Sequence, residues 1–104
     1  MALTSSSHRE AATVTITLQG DADLTCIGDF EETVASHLRT DVDTIEIDLT
    51  GVAFIDSAGI NALLKGRRSA EENGQTFVVT DASGLVREML DMTGVWTHLS
   101  GRAA

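Results

Sequence analysis

The stretch Asp48-Leu49-Thr50-Gly51-Val52-Ala53-Phe54-Ile55-Asp56-Ser57-Ala58-Gly59-Ile60 decides how this chain is read. At its start, Ile45, Ile47 and Leu49 alternate with Glu46 and Asp48, the period of two that belongs to a half-buried strand. Val52, Ala53, Phe54 and Ile55 form a short apolar run that ends in Asp56-Ser57-Ala58-Gly59, so a strand feeds a tight loop. From Ser57 the pattern becomes helical, with Ile60, Leu63 and Leu64 apolar and Lys65, Arg67, Arg68, Glu71 and Glu72 polar, until Asn73-Gly74 stops it. Gly59, Ala62, Gly66 and Ala70 fall along one side of that helix. A glycine inside a helix costs about 1 kcal/mol in propensity, so Gly66 reads as a packing residue that lets the helix axis approach a sheet.

Working outward, Val14, Ile16 and Leu18 alternate with Thr13, Thr15, Thr17 and Gln19, a strand that Gly20 ends. The polar segment before it, residues 1–9, reads as a loose N-terminal segment or, from Thr4 to Arg9, an edge strand joined through Glu10-Ala11-Ala12. After Gly20-Asp21-Ala22-Asp23, the residues Ile27, Phe30, Val34, Ala35 and Leu38 recur three and four apart, with Asp29, Glu31, Glu32 and Arg39 opposite. That predicts an amphipathic helix capped by Thr25 or Asp23. Downstream, Thr76 to Thr80 reads as a strand and Ser83 to Met92 as a helix presenting Leu85, Val86, Met89 and Leu90, while Val95 to Leu99 reads as a last short strand. Strands and helices alternate at lengths that imply parallel crossovers. The expected class is α/β: a central, mostly parallel sheet of four to five strands with helices packed on it, forming a single domain over 1–104 with its core at about 13–99 and a tail at 100–104.

The chain has 104 residues, with 16 Asp+Glu against 7 Lys+Arg and a net charge of −9. That size holds one core and leaves no room for a second domain. Direct nucleic-acid binding is disfavoured, because it requires clustered Lys and Arg to neutralise phosphates. The same charge disfavours anionic membrane surfaces, and no apolar run approaches the ~20 residues that span a bilayer. The first residues, Met1 to Ser7, carry neither a basic region nor an apolar one, so no secretory signal is expected and the cytoplasm is the expected location. One cysteine, Cys26, cannot make an internal disulfide, which suits a reducing compartment.

Three segments together carry a family resemblance. Gly20-Asp21-Ala22-Asp23 resembles the Gly-Glu-Leu-Asp of STAS domains, Asp56-Ser57-Ala58-Gly59-Ile60 their Asp-Ser-Ser/Ala-Gly-Leu, and Asp91-Met92-Thr93-Gly94-Val95 their Asp-Met-Ser-Gly-Leu. From about Thr13 to Trp96 the chain is similar to the bacterial anti-sigma factor antagonists of that family. The resemblance implies a partner-switching phosphoprotein of transcription regulation. Its unphosphorylated form binds an anti-sigma factor, itself a serine kinase, and releases the sigma factor; phosphorylation of Ser57 abolishes the binding, and a serine phosphatase restores it. It implies a partner-binding surface made of Asp21, Asp23, Asp56, Ser57, Ala58, Gly59 and Ile60, and no cofactor of the protein's own. Where some relatives carry Ser-Ser, this chain has Ser57-Ala58, which leaves one acceptor in the loop. Other STAS domains serve as structural subunits of transporters or ABC ATPase complexes, and that is the alternative reading.

On residue type alone, Ser57 reads as an N-cap, and a capping hydroxyl in a surface loop can also be an acceptor. A phosphate at a helix N-terminus is stabilised by unsatisfied backbone N–H groups, so it acts on a docked partner and not on the fold. A hydrolase nucleophile would need a base; His8, His37 and His98 lie on separate elements, and no Gly-x-Ser-x-Gly surrounds Ser57. Asp56 reads as a turn and helix-start residue. Asp21 and Asp23 lack a third carboxylate at metal-ligand spacing and read as a solvated loop. Cys26 reads as a small, buried helix residue, Lys65, Arg67 and Arg68 as a solvated helix face, and Trp96 and His98 as packing and rim residues.

Overall fold

Alternating side chains build the sheet. The computed structural model describes residues 3–38 and 40–100; Arg39, expected on the polar face of the first helix, and residues 101–104 of the tail lie outside them. The elements are β1 (Thr4–Glu10), β2 (Thr13–Ala22), α1 (Ile27–His37), β3 (Thr44–Ile55), α2 (Ser57–Glu72), β4 (Thr76–Ala82), α3 (Gly84–Met92) and α4 (Val95–Leu99). The strands lie in the order β1-β2-β3-β4, with β1 antiparallel to β2 and the pairs β2/β3 and β3/β4 parallel. This is the expected mostly parallel α/β sheet, with four strands.

Val14, Ile16 and Leu18 on β2, Ile45, Ile47 and Leu49 on β3, and Phe77 and Val79 on β4 are buried. The intervening Thr13, Thr15, Thr17, Thr44, Glu46 and Asp48 are half-exposed. One face of the sheet therefore carries the helices and the other faces solvent, and the molecule is only 21 Å thick in its shortest direction. Phe30 and Val34 of α1, Ala62 and Leu63 of α2, and Val86 and Leu90 of α3 close the core. Burying each of the Val, Leu, Ile and Phe side chains contributes roughly 1.5–3 kcal/mol. Gly66 is a packing residue: a Cβ there would lie 2.9 Å from Phe77 Cε2.

β1 is exposed throughout, yet all of its residues from Thr4 to Glu10 pair with β2. Its backbone ladder holds it, not an apolar face. The alternating stretch Ile45 to Leu49 and the apolar run Val52 to Ile55 form one strand, as expected. Alternation breaks at Thr50-Gly51, the register against β2 shifts between Thr17 and Gln19, and Ala53 and Phe54 emerge exposed.

Val95 to Leu99 is a helical turn and not a strand. Trp96 and Leu99, three residues apart, are both buried, and the Arg87 guanidinium stacks 4.0 Å from the centre of the Trp96 ring. Five residues hold too little of either period to decide between strand and helix, and packing against α3 decides it. The cap positions differ from expectation by one residue or more. The N-cap of α1 is Cys26, because Asp23 and Thr25 are used in the turn before it. The N-cap of α2 is Asp56, and Ser57 is its first helical residue.

Candidate functional site

The carboxyl ends of β2 and β3 meet at one rim of the sheet. Asp21 pairs with Phe54 and Ala22 with Ile55, the last rungs of the parallel ladder. Beyond them the two chains part, β2 into the turn Asp23 to Cys26 and β3 into α2. Gly59 lets α2 start this close to the sheet: a Cβ there would lie 2.3 Å from the Ala22 carbonyl oxygen and 2.6 Å from Ile55 Cγ1. It is buried and shapes the site from below.

Asp56 joins the two sides. One carboxylate oxygen accepts the Gly59 N–H at 3.0 Å and caps α2; the other accepts the Leu24 N–H at 3.2 Å. The turn that carries Leu24 is closed from within. Asp23 Oδ1 accepts the Thr25 N–H at 3.0 Å and the Thr25 hydroxyl at 2.7 Å, and the Asp23 carbonyl accepts the N–H groups of Cys26 and Ile27. The Thr25 hydroxyl bond holds the Asp23 carboxyl below the usual carboxylate range.

Because Asp56 takes the cap position, Ser57 is left exposed in the first turn of α2, and its hydroxyl makes no hydrogen bond to the described residues. Its neighbourhood is the partly positive end of a 16-residue helix. The amides of Gly59 and Ile60 are engaged by Asp56, which leaves the first N–H groups of the helix at the loop surface. Ala58 and Ile60 are half-buried beside it. The structure thus gathers Asp21, Asp23, Asp56, Ser57, Ala58, Gly59 and Ile60 at one rim. It adds two exposed apolar residues that the sequence reading left out, Leu24 at 75% and Phe54 at 44% exposure. For Leu24 the available signal was an apolar residue set inside a polar turn.

None of the three histidines hydrogen-bonds Ser57: His8 lies on β1, His37 in the last turn of α1 and His98 in α4. Among the described residues no group of three or more His, Cys, Asp and Glu side chains is gathered to hold a metal ion. Cys26 is half-buried against the core, with its sulfur 3.4 Å from the Thr25 hydroxyl. Two of the three basic residues of α2 have partners: Lys65 pairs with Glu31 at 3.3 Å, and Arg67 pairs with Glu71 and donates to the His98 carbonyl, while Arg68 is exposed. Trp96 is a packing residue and His98 is exposed.

A family model described as "Mlab, STAS domain" matches residues 5–100. The chain belongs to the STAS family. Among solved structures it is similar to an anti-sigma factor antagonist from Mycobacterium paratuberculosis, with a TM-score of 0.81 at 19% identity over 94% of this chain and 83% of that one. The Bacillus cell-fate determinant SpoIIAA in its phosphorylated form matches with a TM-score of 0.66 at 22% identity, covering 88% of this chain and 85% of that one. A sulfate transporter family protein from Wolinella succinogenes matches with a TM-score of 0.72 at 17% identity over 88% and 75% of the two chains. At these identities the likeness is one of fold, and STAS domains of both regulatory and transporter proteins share it. Among the described residues no helix is long and apolar enough to cross a membrane.

Proposed function

We propose that this STAS chain is an anti-sigma factor antagonist, a cytoplasmic single-domain switch with no cofactor and no enzymatic activity of its own. Its unphosphorylated form binds an anti-sigma factor that is also a serine kinase, and the sigma factor is released. The observation that carries the reading is the Ser57 hydroxyl, exposed at the N-terminus of α2 with no hydrogen bond among the described residues, beside the acidic rim of Asp21, Asp23 and Asp56. The fold similarity to the mycobacterial antagonist supports it, as does that to SpoIIAA, an anti-sigma factor antagonist found both unphosphorylated and phosphorylated.

In the switching step the Ser57 oxygen attacks the γ-phosphorus of ATP, the bond to the β-phosphate oxygen breaks, ADP leaves, and the hydroxyl proton passes to a base of the kinase. The product carries ~1.5 to 2 added negative charges at neutral pH. At the start of α2 they are accommodated by the helix end, while a partner docked on the same acidic rim meets new repulsion and bulk. A serine phosphatase restores the hydroxyl with water and releases inorganic phosphate.

Incubation with the cognate kinase and ATP, followed by intact mass, tests the assignment: wild type gains one phosphate and Ser57→Ala gains none. Equal uptake by both chains would remove Ser57 from the switch. The similarity to a transporter-family protein supports a second reading, a STAS subunit of a transporter or ABC ATPase complex. Recovery of such a complex in a pull-down, with no kinase, would favour it.

A further inference from the structure

The sheet has two edges, and they are finished differently. β4 is bordered by Arg67, Glu71 and Ser100, and its ladder with β3 is interrupted by a register shift between Ile47 and Asp48. β1 is the opposite edge: its residues pair with β2 in unbroken register, all of them are exposed, and no other strand lies against it among the described residues. An edge strand offers a row of backbone N–H and C=O groups for further pairing, and proteins block such edges with proline, bulges or charged side chains. Thr4-Ser5-Ser6-Ser7-His8-Arg9-Glu10 has no proline and no bulge, and its Arg and Glu sit together at one end. The face of β1 that continues the helix-bearing side carries Ser5, Ser7 and Arg9, the partners of the buried Leu18, Ile16 and Val14. Ser5 meets α1, its hydroxyl 3.4 Å from that of Thr33, and the groove there is also lined by Asp29 and Glu32, both exposed and in no ion pair among the described residues. Arg9 of the same chain stands four residues further along the strand, roughly 13 Å away, and does not serve this groove. Its guanidinium is 2.8 Å from Asp41 at the far end.

We infer that β1 is a pairing edge for a second copy of this chain, in a two-fold antiparallel contact centred on Ser7 that joins two four-stranded sheets into one. This register pairs the whole strand: Ser7 faces its own counterpart, Ser6 faces His8, Ser5 faces Arg9 and Thr4 faces Glu10, with no like charges opposite each other. Residues directly opposite share a face of the sheet, so each Arg9 arrives beside the other copy's Ser5, at the groove lined by Asp29 and Glu32. The two-fold axis makes that contact twice. A foreign strand would find the same backbone groups but would need a cation of its own at this one position, and the second copy already carries it. Asp41 is 80% exposed, so the ion pair that Arg9 gives up there is worth little. The charge of −9 on each copy opposes association and a polar edge strand buries little surface, so the contact is weak and reversible. Because the two β1 strands run in opposite directions, the two Ser57 rims fall at opposite ends of the joined sheet.

Sedimentation equilibrium of the wild-type chain at micromolar to millimolar concentration tests the contact: the average mass climbs above the 11.0 kDa of one chain towards twice that value. Arg9→Glu sets a carboxylate against Asp29 and Glu32 and stays at the mass of one chain. The double variant Asp29→Lys/Glu32→Lys sets cations against Arg9 and stays there too. An equimolar mixture of the two variants associates again, since each contact then joins opposite charges. All three positions are exposed, so both variants keep the circular dichroism spectrum of the wild type. A wild-type mass that never rises overturns the proposal, as does association of either variant alone at wild-type strength or a mixture that stays monomeric. None of these outcomes bears on Ser57, which takes no part in the contact.

Discussion

Two serines in this chain follow a parallel strand and begin a helix, and the structure treats them in opposite ways. Asp56-Ser57 joins β3 to α2, and Ser83-Gly84 joins β4 to α3. At the first junction a carboxylate occupies the cap position, bonds the Gly59 amide and leaves the following hydroxyl exposed, with no hydrogen bond among the described residues. At the second the serine itself occupies the cap position; its hydroxyl makes no cap bond and instead donates to the Thr50 carbonyl of the neighbouring strand at 3.0 Å. The glycines differ as well. Gly59 is required because there is no space for a side chain, whereas Gly84 has open space around it and a φ of +58°. One junction is built to present a hydroxyl and the other to consume one.

The largest expected effect contrasts those glycines. Gly59→Ala forces a methyl group against the Ala22 carbonyl and Ile55, and should lower stability by about 3 kcal/mol. Gly84→Ala meets no neighbour and carries only the backbone penalty of a left-handed residue, about 1 kcal/mol. Urea unfolding of the two variants reads the difference directly, and equal losses would mean that α2 can withdraw from the sheet without cost. Next come the caps. Asp56→Ala strips acceptors from both Gly59 and Leu24 and should cost about 2 kcal/mol. Ser83→Ala removes one exposed bond to Thr50 and should cost about 0.5 kcal/mol, with phosphate uptake unchanged. A phosphate found on Ser83 in the mass spectrum would erase the distinction between the two serines.

The smallest effect concerns pH. The folded Asp23 carboxyl titrates below its ordinary value because it accepts the Thr25 hydroxyl, so its contribution to stability is present above the unfolded carboxylate pKa and is lost as the pH falls through the folded one. In Thr25→Val the Asp23 midpoint, followed by carboxyl carbon NMR, should rise towards the ordinary value, and the acid limb of the stability curve should flatten. An unmoved midpoint would assign the shift to the Cys26 side chain and the backbone amides of Thr25 and Cys26.

How much of this was legible beforehand follows from how many residues carried each signal. β2, the first half of β3 and the long helix α2 announce themselves through several repeats of period two or 3.6, and the rim at Asp56-Ser57 stands out because strand, loop and helix signals abut there. α4 does not, because Val95 to Leu99 is a single turn whose aromatic and β-branched residues suit a strand equally well until Trp96 meets Arg87. The choice between Asp56 and Ser57 as cap was hidden for another reason. Both residue types cap well, and the choice is made by where the ladder with β2 ends, at Ala22 and Ile55, which is a fact of register. Leu24 does not stand out because exposure cannot be read from residue type, and an isolated leucine after the acidic Asp21-Ala22-Asp23 looks like the first apolar residue of the helix.

The hydrogen bond between Leu24 and Asp56 spans 32 residues of sequence. Nothing local brings those residues together: β2 must find β3 across the whole of α1, a distant parallel pairing of the kind that forms late and slowly. A binding partner that grips both sides of the rim therefore recognises tertiary structure and not a linear peptide. Only a chain in which β2 and β3 have paired presents both sides of the rim.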